Sequence, residues 1–119
     1  MPNANKAQGD AHERAVRDYL TATLPVPALK PNQAHMADVG DLWVGPFALQ
    51  LKSSPTGAKK VTDYLMDARE QAARAGLPFG AAVIKNQLAP GSDADLVVLD
   101  LETFAVLLAI VVEHGEPRA

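Results

Sequence analysis

The chain has 119 residues, 48% hydrophobic and 21% charged, with a formal net charge of −3 and no cysteine. That length suits a single domain over residues 1–119, with one core of ordinary globular composition. The lack of cysteine excludes disulfides and thiolate metal sites, which fits a cytoplasmic location, and the net acidity argues against a strongly basic nucleic-acid binder.

Residues 1–9 are polar, lack the apolar core of a secretory signal and read as a flexible lead-in. From about Asp10 to Leu24 the pattern is helical: Val16, Leu20 and Leu24 share one face, and Pro25 and Pro27 end it. At about 100° per residue, Glu13 points in the same direction as Leu20 and Leu24. A first-turn glutamate is favoured by the helix dipole, but a carboxylate turned inward needs a lysine or a metal as partner. Val26 to Met36, punctuated by Pro27, Pro31 and Asn32, reads as a loop ending near His35, a candidate phosphate contact.

Asp38 to Ser54 then reads as two short strands joined by a Gly45-Pro46 turn. Alternation puts Phe47, Leu49 and Leu51 on one face and Ala48, Gln50 and Lys52 on the other. The first face suits a core. The second carries an amide oxygen beside an ammonium, with Asp41 close by across the hairpin. Such a face is either a solvated sheet surface or a site for a divalent cation and a polarised water.

Ser53 to Ala58 is a turn-rich loop with Pro55 and Gly57, and Lys59-Lys60 follows at the mouth of the next helix, as a phosphate contact or a solvated pair. That helix runs from about Lys60 to Ala75, stopped by Gly76 and Pro78. Gln71 falls on its apolar face with Tyr64, turned toward the sheet. Phe79 to Lys85 reads as a third strand, Gln87 to Ala94 as a loop, and Leu96 to Leu101 as a strand buried on both faces. Leu101 to Val112 is a very apolar last helix with Asp100 as N-cap, which must pack on the sheet or on another copy. Its nine-residue apolar run, Phe104 to Val112, is far short of the ~20 residues a membrane span needs, so no membrane role is expected.

The expected class is therefore α/β, in the order α-β-β-α-β-β-α, with a mixed central sheet flanked by helices. Charge is uneven along it: Lys52 to Lys85 holds six bases and three acids, whereas Asp93 to Glu116 holds six acids and no Lys or Arg. This suits a protein that meets an anion on one side. Glu13, Asp41, Gln50 and Lys52, with Lys85 later, form the layout of a Mg²⁺-dependent phosphodiesterase. Asp41, Gln50 and Glu13 are the candidate metal ligands, with Asp38 as the alternative to Asp41, and Lys52 is the catalytic ammonium. Lys59, Lys60, Gln71 and Lys85 are the candidate DNA contacts.

These elements carry a resemblance. Gly9-Asp10-Ala11-His12-Glu13, Asp38-Val39-Gly40-Asp41-Leu42, Leu49-Gln50-Leu51-Lys52-Ser53, Glu70-Gln71-Ala72 and Pro78-Phe79-Gly80-Ala81-Ala82-Val83-Ile84-Lys85 occur in that order. Together with Asp95 to Phe104, they resemble the PD-(D/E)xK nuclease superfamily and, within it, small phage-type Holliday junction resolvase-like proteins. The resemblance spans roughly Gly9 to Leu108. It implies a restriction-endonuclease-like core and a homodimeric, Mg²⁺- or Mn²⁺-dependent endonuclease that cuts branched DNA in the cytoplasm. Two departures stand out: Gln50 occupies the position of the usual second acid, and the net charge is negative. They leave open a nuclease-fold protein that binds without cutting, and a restriction- or repair-type enzyme acting on duplex DNA.

Overall fold

The computed structural model describes residues 4–31, 38–53, 58–89 and 91–114. In chain order the elements are α1 (Ala4–Thr23), β1 (Leu42–Val44), β2 (Phe47–Lys52), α2 (Ala58–Ala75), β3 (Phe79–Ile84), a 3-10 turn (Ser92–Ala94), β4 (Leu96–Val98) and α3 (Leu101–His114). Among the described residues the result is an α/β fold with three α-helices and one mixed four-stranded sheet, ordered β1-β2-β3-β4.

The hairpin of β1 and β2 follows from its alternation and its turn. Leu42 pairs with Leu49 and Val44 with Phe47, antiparallel. Gly45, at φ 53°, takes the positive angle that the first central position of a two-residue turn demands. β2 and β3 run parallel, Leu49 opposite Ala81 and Lys52 opposite Ile84, joined through α2. β3 and β4 are antiparallel. Ahead of the hairpin, Leu29 and Trp43 exchange backbone hydrogen bonds of 2.8 and 2.7 Å, drawing the loop after α1 onto β1.

Both faces of the central strands are covered. On one, Val16 of α1 packs with Leu42, Val44, Leu49, Ala81 and Val83 to make the core. On the other, α2 buries Ala68 and Ala72 against the face that carries Ala48 and Ala82, all at most 2% exposed. Close approach is the reason for Gly80: a Cβ there would run into the backbone carbonyl of Ala68. Gly76, at φ 73°, ends α2 as expected of a C′ glycine.

Three expectations need correction. Residues 4–9 are helical, not a flexible lead-in; Ala4, Lys6, Ala7 and Gln8 are good helix formers, and Lys6 pairs with Asp10 at 3.0 Å, one turn on. The first helix ends at Thr23, leaving Leu24 outside it and 39% exposed. The apolar run from Leu96 is neither long nor doubly buried: β4 has three residues at the sheet edge, with Leu96 55% and Val97 61% exposed. The strand stops because Asp100 caps the next helix, accepting the Thr103 N–H at 3.3 Å. That role, led by the Thr103 hydrogen bond and aided by Arg69, holds the Asp100 carboxyl below its usual range.

Candidate functional site

The parallel strands β2 and β3 end side by side, with the Lys85 N–H donating to the Lys52 carbonyl at 2.8 Å. Asp41 lies just before β1 and is tied to β2 twice. Its backbone N–H donates to the Leu49 carbonyl at 2.9 Å, and its Oδ2 accepts the Leu51 N–H at 2.8 Å. Asp41 is thus held on either side of Gln50 along the partner strand, its backbone at Leu49 and its carboxylate at Leu51. Burial pushes the Asp41 carboxyl above the ordinary range, and the charges of Asp38 and Glu13 push the same way. The Leu51 N–H and the Lys52 ammonium oppose that rise.

Lys52 is half-buried, and its ammonium lies 4.9 Å from the centre of the Tyr64 ring on α2. A cation over an aromatic face is held electrostatically while its hydrogens stay available. Glu13, on α1, is paired with Lys30 at 3.2 Å, so the inward carboxylate has the lysine partner its direction requires. Gln50 is 6% exposed, and its Oε1 has no hydrogen-bond partner among the described residues. Its face of β2 is therefore no solvated surface: α2 covers it.

Asp38 has a different task. Its Oδ1 accepts the Gly40 N–H at 3.1 Å, its Oδ2 accepts Nε2 of Gln71 at 2.8 Å, and its carbonyl accepts Arg74 at 3.1 Å. Oδ1 thus closes a local turn, while Oδ2 and the backbone carbonyl anchor the segment before β1 onto α2. Asp41 is the carboxylate aligned with Gln50 and Lys52. Gln71, expected at a DNA surface, is instead 4% exposed, with its Nε2 given to this anchor and its Oε1 buried without a hydrogen-bond partner among the described residues. Its position on the small-residue face of α2 is what buries it.

Of the other candidate contacts, Lys60 is exposed in the first turn of α2 and Lys85 is exposed just past β3. His35 and the Lys59 side chain lie outside the described residues.

Sequence reasoning missed the partners. Lys30 carries no periodic or motif signal in its loop. His12 is buried on α1, its Nε2 2.9 Å from Oδ2 of Asp95, with the two side chains 3% and 5% exposed. The second oxygen of Asp95 accepts the Asn86 N–H at 3.1 Å. This link spans 83 positions and fixes the helix turn that carries Glu13. No local pattern could have paired the two residues.

Among the described residues, no group of three or more His, Asp or Glu side chains gathers tightly enough to hold a metal ion alone. The oxygen donors that the hairpin places on neighbouring positions are the Asp41 carboxylate and the amide of Gln50, whose buried Oε1 lacks a partner among the described residues. A hard cation that keeps several of its waters needs no more than one or two protein carboxylates, so this pair fits Mg²⁺ or Mn²⁺. A cation there would also offset the repulsion that Asp38 and Glu13 exert on Asp41. No protein-family model matches the chain, and neither a curated protein nor a solved structure is significantly similar to it. Among the described residues, no helix is long and apolar enough to cross a membrane.

Proposed function

We propose that the chain is a metal-dependent endonuclease with a restriction-endonuclease-like core that hydrolyses phosphodiesters in DNA, branched DNA first among the substrates. The observation that carries this reading is Asp41. It is a partly buried carboxylate raised above its ordinary range, fixed by Leu51 beside an unpartnered amide oxygen and influenced by the Lys52 ammonium. Burying charge in this way is costly and is commonly tolerated where the charge is used.

Asp41 and Gln50 would hold Mg²⁺ or Mn²⁺, with Glu13 contributing through water. When bound, the ion polarises the scissile phosphate and acidifies a water. Lys52, steadied by Tyr64, donates to the phosphate oxygens on which negative charge grows as the water attacks. Lys30 holds the Glu13 carboxylate in place through their 3.2 Å ion pair. Lys60 and Lys85 are exposed bases suited to flanking phosphates.

The test is cleavage of a labelled four-way junction and a matched linear duplex with Mg²⁺, Mn²⁺ or EDTA. Wild type is expected to nick the junction only with metal, and Lys52→Ala and Asp41→Ala to lose at least about 10²-fold in rate. Equal cutting of the duplex would shift the reading to a restriction- or repair-type enzyme. Metal-independent binding without cleavage would support the second reading, a nuclease-fold binding protein, which the neutral Gln50 in place of an acid favours. A chain that neither binds nor cuts either DNA refutes both.

A further inference from the structure

Helix α3 is the most apolar of the described helices and the least covered. Thr103 is its one buried residue, and the helix makes only sparse contact with the rest of the described chain. At about 100° per residue, Leu101, Phe104, Leu108, Val111 and Val112 fall within roughly 100° of arc. All five are exposed, from 44% at Leu108 to 79% at Leu101. Three, four and three residues separate the first four in turn, the spacing of a heptad seam in which side chains of one helix fit between those of another. Glu102 and Glu113 lie on the opposite side and stay in water if the stripe is covered.

The stripe continues into the sheet. Leu101 and Phe104 share a groove of about 400 Å³ with Val97 and Leu99. Beside it, a cavity of about 300 Å³ opens onto core side chains themselves, among them Val16, Leu49 and Val83. Counting Leu96 and Val97 with the stripe, seven exposed apolar residues of β4 and α3 present on the order of 700 Å², close to one partner's share of a standard interface.

We infer that this surface pairs with the same surface of a second copy, α3 against α3 about a twofold axis, with the edge of β4 and the open groove beneath. The residues not described offer little to cover it: only Met1 and Met36 among them carry large apolar side chains. A lipid surface is disfavoured by charge, because Asp93 to Glu116 holds six acids and no Lys or Arg to meet headgroup phosphates. An identical helix suits the stripe because a 3-4-3 seam is complementary to itself, as a twofold interface requires. The inference is independent of the nuclease reading.

The test is the mass of the full chain in solution by sedimentation, with Leu108→Glu on the stripe and Ile110→Glu on the far side of the same helix. Wild type and Ile110→Glu are expected to be dimers with Kd of about 1 µM or tighter, and Leu108→Glu to weaken pairing at least tenfold with its helix signal intact. Should Leu108→Glu fail to fold, Leu108→Cys supplies the sole thiol of the chain, and a short bifunctional thiol reagent should join two copies through it. A wild type that stays monomeric at about 100 µM, weakening by both glutamates alike, or no crosslink at Leu108→Cys overturns the proposal. So does a monomer that floats with phosphatidylcholine vesicles, which would assign the stripe to lipid.

Discussion

Helices α2 and α3 both follow the sheet's hairpin, yet the more polar one is the better buried. α2 presents Ala68, Gln71 and Ala72, each at most 4% exposed, and Gly80 gives it room to press on β3. α3 draws ten of its fourteen residues from Leu, Val, Ile, Phe and Ala, and buries only Thr103. Apolar area drives burial, but small side chains and a missing Cβ decide how near two backbones come. The difference divides the molecule into a tightly fitted half holding the candidate site and an open half whose packing is unfinished within one chain.

The contrast can be broken from the fitted side first. His12→Ala leaves the Asp95 carboxylate buried with only the Asn86 N–H, and should cost roughly 3–5 kcal/mol in denaturant unfolding. Gly80→Ala forces a methyl into the Ala68 carbonyl and should cost about 3 kcal/mol by the same measurement, although alanine is ordinarily the better strand residue. Either variant unfolding at the wild-type midpoint would mean that this half is not tightly fitted.

Asp41 sharpens the comparison by running the other way. Its carboxyl is raised in the folded state, so as pH climbs from the ordinary value of 3.8 the unfolded chain gives up its proton first. Stability therefore falls with rising pH across that window, and the full cost persists above the raised value. Asp41→Asn should remove this dependence and gain about 0.5–1 kcal/mol at neutral pH while abolishing cleavage. A variant no more stable than wild type would mean the carboxylate carries no strain. The smallest effect belongs to α3, away from its stripe: Ile110→Ser should stay within about 0.5 kcal/mol of wild type, because the residue is already 51% exposed.

What the residues disclosed in advance follows the same division. The hairpin was legible because its alternation and its Gly45-Pro46 turn are local, and α2 because Gly76 marks its end. Asp41, Gln50 and Lys52 were legible as neighbours because a two-strand register brings them together. Leu96 to Leu101 misled because an apolar run does not say whether a second layer exists to cover it. The direction of Gln71 toward the sheet was legible from helical spacing, but its expected contact with DNA was not met, because Asp38, brought close only by the tertiary fold, takes its amide N–H. His12 with Asp95, and Glu13 with Lys30, are pairings of tertiary origin, invisible to any pattern along the chain.

Trp43 is the only tryptophan in the sequence. Its indole N–H donates to the Val39 carbonyl at 2.8 Å, and its backbone is bonded to Leu29. The ring is therefore fastened to the segment between Asp38 and Asp41, on the strand that follows the candidate ligand. The molecule carries its own fluorophore two residues from Asp41, the ligand proposed for a cation. Its emission offers a label-free optical titration of the site, separate from any readout of turnover.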